Sequence, residues 1–293
     1  MAAAEKDLLK TIRRIQIQTT HLATDVLAGA YKSAFRGKGM EFEEVRDYQP
    51  GDEVRSIDWN VTARMNHPYV KNFREERELT VMLVVDISAS SRFGSTNQMK
   101  SELIAEIGAV MAFSAIKNND KVGLLLFTDE VEKYLPPKKG TRHVLRVIRD
   151  LLAFEPHGRG TNLAGALAYL GKVNRRRGIC FVISDFLCEN YAHEMALAAR
   201  EHDLITIAVN DPYEARMPPM SLVTLADLES KELAIVDTSS THLQECYSES
   251  AARRVADHQK LMKKIGAGFI DIRTDESYIK ALHKFFKTRV VRR

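Results

Sequence analysis

The sequence has no long run of apolar residues. Nowhere do about 18 apolar residues follow one another, the length that indicates a helix across a membrane. The first residues, MAAAEKDLLKTIRRIQIQ, carry a charge every few positions, so the apolar core of a signal peptide is absent as well. We therefore expect a cytoplasmic protein without a membrane span.

Cysteine is scarce, and the charge is not one-sided. The 293 residues include only Cys180, Cys188 and Cys246, an odd number without CxxC spacing. This pattern favours reduced thiols over a disulfide framework or a zinc site, with Cys180 inside a buried strand. The net charge of +4 is the small difference between 43 basic and 39 acidic residues. The composition therefore gives no reason to expect a nucleic-acid binder.

Several catalytic motifs are missing. There is no HExxH, no GxGxxG opening a helix, and Phe93-Gly94-Ser95-Thr96 lacks the lysine of a P-loop. Phosphotransferases of the haloacid-dehalogenase kind have DxDxT after their first strand, but the second carboxylate of that pattern is Ser88 here. A hydroxyl cannot act as acid and base without a base beside it. We predict a protein that is not an enzyme, with a metal-dependent phosphohydrolase as an alternative.

What the sequence does contain is an apolar strand that ends abruptly in oxygen-bearing side chains. Thr80 to Val85 form a short aliphatic run typical of a buried parallel strand. Asp86, Ser88 and Ser90 follow at spacings of two, so that a loop can turn all three toward one point. A carboxylate and two hydroxyls are ligands for a small hard cation such as Mg²⁺ or Mn²⁺.

Two later stretches could complete this site. A glycine-rich turn, Gly158 to Leu163, leads into a helix and offers the hydroxyl of Thr161, and a second apolar strand, Gly178 to Ser184, ends on Asp185. Ligands of open α/β sheets bind beyond the carboxyl ends of the strands, which is where all five side chains would lie. In the alternative interpretation, the two aspartates cap helices and the hydroxyls satisfy loop amides.

Strands and helices alternate along most of the chain, which predicts an α/β fold with a doubly wound, largely parallel sheet. Residues 1–77 are expected to form an N-terminal helix, over about residues 4–30, and an extended segment packed on the main domain of residues 78–293. Two expectations concern single elements. A short edge strand, Glu130 to Tyr134, ends before Pro136-Pro137, and a last helix, Tyr278 to Phe286, precedes a basic tail, Lys287 to Arg293.

The segment from Gly37 to Trp59 is rich in turns and in alternating acids and bases, so side-chain pairing rather than a core must hold it. Two interpretations stay open for its charged and aromatic residues. They are either structural, pairing with one another while the tryptophan packs on the main domain, or part of a partner-docking surface. The residues concerned are Arg46, Asp52, Arg55, Asp58 and Trp59.

These motifs resemble those of a known bacterial family. GxGxEF at Gly37 to Phe42, RxY at Arg46 to Tyr48, GDxxRxIDW at Gly51 to Trp59 and the pair Ala63-Arg64 are similar to the signature of the domain-of-unknown-function family fifty-eight. Its members join such a segment to a von Willebrand factor A-like domain of Rossmann type. The set Asp86, Ser88, Ser90, Thr161 and Asp185 resembles the metal-ion-dependent adhesion site of that domain. Ser91 departs from the methionine that is common in the family, at a packing position.

The resemblance implies a function. In such sites the first aspartate and both serines bind the metal directly, the threonine and second aspartate bind it directly or through water, and an Asp or Glu of a partner completes the coordination. Family members are commonly encoded beside MoxR-type AAA+ ATPases. We therefore expect an adaptor that binds such an ATPase, or a client protein, in protein maturation or complex assembly. A nucleic-acid-associated protein, using Arg175 to Arg177 and the basic tail, is a further alternative.

Overall fold

The computed structural model of the chain describes residues 31, 33–34, 41–74, 79–96 and 98–291. The helix expected at residues 4–30 lies outside these ranges. The chain divides into two compact units. Phe35–Leu79 form the smaller one, and Thr80–Arg293 form the larger one together with the residues up to Ala34. The expected packing of the N-terminal segment on the main domain stays a prediction.

The smaller unit is a hairpin with one short helix. It contains β1 (Glu41–Asp47), a 3₁₀ turn (Val54–Ser56), α1 (Trp59–Met65) and β2 (Tyr69–Arg74), and β1 pairs with β2 in antiparallel fashion. Ile57 forms an isolated bridge to Val70, and Val70 is buried. Asp58 begins α1 by accepting hydrogen bonds from the amides of Asn60 and Val61, and Asn66 ends the helix in the left-handed conformation.

The larger unit alternates strands and helices as expected. In chain order it contains β3 (Thr80–Asp86), α2 (Lys100–Lys117), β4 (Lys121–Phe127), β5 (Val131–Lys138), α3 (Thr141–Ala153), α4 (Leu163–Val173), β6 (Ile179–Ser184), α5 (Ala192–Glu201), β7 (Asp203–Asn210), α6 (Pro212–Ala215), β8 (Leu222–Ala226), β9 (Leu233–Asp237), α7 (Thr241–Ile265), β10 (Gly268–Arg273) and α8 (Tyr278–Val291). In the described part of the chain, no helix combines the length and the apolar character needed to cross a bilayer.

Six strands form the central sheet in the order β5-β4-β3-β6-β7-β10. All neighbours run parallel except β5, which is antiparallel to β4. Numbered along the chain, this is the order 3-2-1-4-5-6 of the doubly wound fold, and the direction of winding reverses between β3 and β6. The predicted fold class is confirmed.

Burial on both faces explains the uninterrupted apolar strands. In β3 every residue from Val81 to Asp86 is buried, and so is all of β6. One face of the sheet packs on α4, α5 and α7 through a cluster that includes Met82, Val84, Leu167, Met195 and Met262. The opposite face is covered by α2 and α3. There Gly108 lets α2 approach Leu151 and Ile183 closely, since an added Cβ would stand 3.1 Å from Leu151.

Two sequence predictions about single elements were wrong. The edge strand β5 extends through Pro136-Pro137 to Lys138, because an edge strand tolerates residues without an N–H donor. Residues 287–291, which belong to the stretch expected to be a basic tail, continue α8 instead. This stretch contains no helix-breaking residue, and Arg289 within it forms an ion pair with Asp203 at the start of β7.

Candidate metal site

Asp86 ends β3 beside the point where the winding of the sheet reverses. Its carboxyl group is buried, with one oxygen accepting the Ser88 amide at 2.9 Å and the other accepting the Ser184 hydroxyl at 2.6 Å. Ser184 is the last residue of the neighbouring strand β6. Asp86 is therefore held by groups from both central strands, and it forms no ion pair with a described basic residue.

Ser88 and Ser90 turn their hydroxyls toward each other, with 3.0 Å between the two Oγ atoms. Ser91 instead donates its hydroxyl to the backbone carbonyl of Ser88 at 2.7 Å and is buried, so it stabilises the loop from within. The amide of Ala89 donates to the carbonyl of Arg159 at 2.8 Å. This bond joins the serine loop to the glycine-rich turn that carries Thr161.

The turn carrying Thr161 is fixed by two acidic side chains, Asp129 between β4 and β5 and Glu132 in β5. Asp129 accepts the amides of Arg159 and Gly160 at 2.9 and 3.1 Å, and Glu132 accepts the amide of Gly158 at 2.7 Å. Gly158 is required by this packing, because a Cβ there would lie 2.2 Å from the hydroxyl oxygen and 2.9 Å from the Cβ of the buried Thr128. The turn therefore holds its position beside the serine loop.

The Thr161 hydroxyl has an acceptor that the sequence did not reveal. It donates to Oε1 of Glu229 at 2.8 Å. Glu229 lies in the turn between β8 and β9, which is 68 residues further along the chain. Thus Thr161 stands on the expected side of the sheet, and its side chain contacts an acid outside the predicted set.

Asp185 follows β6 and is also buried, but it has a basic partner. One of its oxygens accepts from Nζ of Lys100 at 2.8 Å, and the other accepts the Leu187 amide at 3.1 Å. Lys100, the first residue of α2, is fully buried and donates to Glu214 as well. Burial opposes the charge of Lys100, but the two carboxylates outweigh it and raise the lysine pKa.

The electrostatics of the two aspartates therefore differ. Burial, and then the negative charge of Asp185, raises the pKa of Asp86 to about 7, although hydrogen bonds from Ser184 and Ser88 act in the opposite direction. A cation placed beside Asp86 would favour its ionised form. The carboxylate and the paired hydroxyls also form an all-oxygen donor set, so these residues fit Mg²⁺ or Mn²⁺.

The site would depend on hydroxyl oxygens. Among the described residues, no three His, Cys, Asp or Glu side chains are close enough together to bind a metal ion on their own. Asp86, Ser88, Ser90 and Asp185 lie at the ends of two adjacent strands, with the Thr161 turn bonded to their loop. Metal binding by this set stays a prediction.

A cavity of about 440 Å³ opens next to Asp185, between the carboxyl ends of β6, β7 and β10 and the helix α7. Its acidic groups and its histidine are engaged. Asp185 and Glu214 pair with Lys100, and Asp271 accepts a hydrogen bond from Asn210 at 2.7 Å. Burial lowers the pKa of His258 to about 4. The cavity therefore presents no free base or nucleophile among these groups.

Both ring nitrogens of His258 have hydrogen-bond partners. Its two ring nitrogens lie 2.9 Å from the Tyr191 hydroxyl and 3.2 Å from the Thr206 hydroxyl, and its ring lies against Phe186.

The cysteines likewise offer no reactive thiol at the rim. Burial raises the pKa values of Cys180 and Cys188 to about 12, so both remain protonated near neutral pH.

The polar residues of the smaller unit have separate roles. Arg46 forms a two-pronged ion pair with Asp52, at 2.7 and 2.8 Å, and Asp58 caps α1. Arg55 is exposed and has no ion pair with a described residue. Trp59 is 65% exposed, so it does not fill a core. The structure thus gives Arg46, Asp52 and Asp58 structural contacts and leaves Arg55 and Trp59 on the surface.

The arginines of the nucleic-acid alternative lie far from the candidate rim along the strands. Arg175 to Arg177 are exposed and precede β6, whereas Asp86 and Asp185 follow the carboxyl ends of β3 and β6. Arg289, in the stretch expected to be a basic tail, is paired with Asp203. These three arginines therefore lie at the opposite end of the strands and do not form part of the candidate site.

Comparison with known proteins adds a family assignment. Residues 44–257 match the family described as protein of unknown function DUF58. The uncharacterized protein Rv1480 of Mycobacterium tuberculosis strain H37Rv is 31% identical over 288 residues, which span 96% of this chain and 90% of that protein. The uncharacterized protein YeaD of Bacillus subtilis strain 168 is 27% identical over 51% of this chain and 35% of its own length.

Two solved structures are similar at low sequence identity. The conserved hypothetical protein BatB from Bacteroides thetaiotaomicron has a TM-score of 0.47 and 16% identity, covering 73% of this chain and 100% of that one. The VWA domain of SpRpn10 has a TM-score of 0.40 and 12% identity, covering 70% of this chain and 94% of that one.

Proposed function

The chain belongs to the DUF58 family, and we propose that it is a non-enzymatic interaction protein whose contact with a partner depends on a divalent cation at the rim of Asp86, Ser88 and Ser90. The proposal rests on the surroundings of the Asp86 carboxylate. A carboxylate that is buried without a described basic partner, next to two converging hydroxyls, is a polar arrangement that a cation would stabilise.

The residues of the rim have different tasks in this proposal. Asp86, Ser88 and Ser90 contact Mg²⁺ or Mn²⁺ directly, whereas Thr161 and Asp185 contribute directly or through water. Lys100 fixes Asp185 and neutralises part of its charge, which favours contact through water for that residue. The bound cation supplies a Lewis-acidic coordination position that an Asp or Glu of a partner can fill.

A non-enzymatic function agrees with the chemistry of the rim. Ser88 stands where phosphotransferases of the haloacid-dehalogenase kind have their second carboxylate, and its hydroxyl contacts Ser90 rather than a base. In the adjacent cavity, Asp185, Glu214 and His258 are engaged in ion pairs or hydrogen bonds. These three groups are therefore not free to accept a proton from a nucleophile.

The partner in this proposal is a MoxR-type AAA+ ATPase, or a client protein that presents an acidic side chain, and the chain acts as the adaptor. The motifs of the smaller unit support this choice through their similarity to the family signature. The exposed side chains of Arg55 and Trp59 offer a second contact surface on that unit.

Capture of the ATPase by immobilised protein tests the proposal. We expect binding in Mg²⁺ and its loss in EDTA, with Asp86→Asn failing to bind in either buffer. The control is Asp257→Asn, which removes an exposed carboxylate elsewhere and should bind as the wild type does. Equal capture in Mg²⁺ and EDTA would show that the contact does not use a cation.

A further inference from the structure

The contact between Thr161 and Glu229 brings an unpredicted acid to the candidate metal site. The carboxylate of Glu229 accepts a hydrogen bond from the Thr161 hydroxyl at 2.8 Å and thus directly contacts a predicted metal ligand. Every other residue from Ala226 to Leu233 is exposed, whereas Glu229 is partly buried. The tip of the β8–β9 hairpin therefore meets the rim through this one side chain.

The turn that presents Glu229 is well defined by hydrogen bonds. One carboxylate oxygen of Asp227 accepts the amides of Glu229 and Ser230 at 2.8 and 2.7 Å. The Lys231 amide donates to the Asp227 carbonyl at 3.0 Å, and Lys231 adopts a left-handed conformation with φ of 65°. Beyond the turn, β8 and β9 pair in register from Ala226–Leu233 to Leu222–Asp237. The hydrogen-bonded turn and the two paired strands thus fix the position of Glu229 at the tip of the hairpin.

The direction of the hydrogen bond matters for metal binding. A hydroxyl that ligates a cation uses an oxygen lone pair and must give its proton to another acceptor. Glu229 is that acceptor for Thr161. Its contact therefore leaves the Thr161 oxygen available to a cation and adds a negative charge close to it, which strengthens attraction for a divalent ion.

We propose that Glu229 is a built-in carboxylate of the metal site, which acts through its hydrogen bond with the Thr161 hydroxyl. This inference rests on the function proposed above. Glu229 supports the cation in the free protein by accepting the Thr161 proton and by its negative charge. Removing its charge should therefore weaken metal binding.

Titration with Mn²⁺, followed through the electron paramagnetic resonance signal of the free ion, tests the inference. Glu229→Gln keeps an oxygen acceptor for Thr161 and removes the charge. Glu232→Gln makes the same change at an exposed position of the same turn. We expect the Mn²⁺ dissociation constant of Glu229→Gln to rise about 5-fold or more, and that of Glu232→Gln to stay within about 2-fold of wild type.

The outcomes separate this inference from the proposed function. If wild type and Glu229→Gln bind Mn²⁺ equally tightly, the inference fails and the metal-dependent function stands. If wild type binds no Mn²⁺, both fail. Hydrogen exchange gives an independent readout. Mg²⁺ should slow exchange at residues 227–232 in wild type and Glu232→Gln but not in Glu229→Gln, and an equal effect in all three proteins would also overturn the role of Glu229.

Discussion

Asp86 lies in surroundings that disfavour the ionised form of its carboxyl group. Burial and the neighbouring Asp185 raise its pKa to about 7, far above the 3.8 of an unperturbed aspartate. In the absence of a cation, the folded protein therefore binds a proton at Asp86 more tightly than the unfolded chain does. Stability that depends on this proton is present at low pH and is lost as the pH rises through about 7.

Replacing Asp86 with Asn should remove this dependence. Asn preserves an oxygen for the Ser88 amide and an amide donor for the Ser184 hydroxyl oxygen. In EDTA, we expect the unfolding free energy of wild type to gain about 1 kcal/mol per pH unit relative to Asp86→Asn as the pH falls below 7. Urea unfolding at several pH values measures this difference. Parallel pH profiles for the two proteins would contradict it, and Asp257→Asn should follow wild type.

Lys100 links three elements of the larger unit at once. It begins α2, and its ammonium group joins Asp185 after β6 to Glu214 in α6, with its own side chain fully buried. A buried cation between two carboxylates cannot be removed without leaving negative charge unbalanced. This arrangement fixes Asp185 beside the candidate metal site.

Lys100→Met should therefore destabilise the protein by about 3–5 kcal/mol, as urea unfolding would show. Lys172→Met, at an exposed position on α4, should change stability by less than about 0.5 kcal/mol. Adding Asp185→Asn and Glu214→Gln to Lys100→Met should recover part of the loss, because the unbalanced charges are gone. A loss for Lys100→Met no larger than that for Lys172→Met would show that the ion pairs contribute little.

Patterns along the chain predict the elements better than they predict side-chain partners. Buried strands such as β3 and β6 are recognisable because both of their faces are apolar, and the position of Asp86 and Asp185 follows from the ends of those strands. The extension of β5 through its prolines depends on its place at the sheet edge, which sequence periodicity does not reveal.

The partners of the rim residues were not predictable for a related reason. Lys100 lies 85 residues from Asp185 and Glu229 lies 68 residues from Thr161, so only the folded chain brings them together. A lysine at the start of an apolar helix and a glutamate in a hairpin turn both look like ordinary solvent-exposed residues. The one local signal was the turn chemistry of Asp227, which indicates a tight turn but not what the turn approaches.

The larger unit presents its candidate functional groups at one edge of the central sheet. The rim of Asp86, Ser88 and Ser90, the tip of the β8–β9 hairpin and the cavity beside Asp185 all border the carboxyl ends of the strands. The hairpin adds an exposed apolar face, with Leu222, Leu233 and Ile235 more than 70% exposed. A partner that contacts the hairpin would therefore meet apolar surface.

The most direct test of this account is a crystal structure of the protein grown with Mn²⁺, in which anomalous scattering locates the ion. We predict one strong peak about 2.0–2.5 Å from oxygens of Asp86, Ser88 and Ser90, and no such peak in Asp86→Asn crystals. A peak elsewhere in the wild-type protein, or none at the rim with Mn²⁺ in excess, would contradict the account.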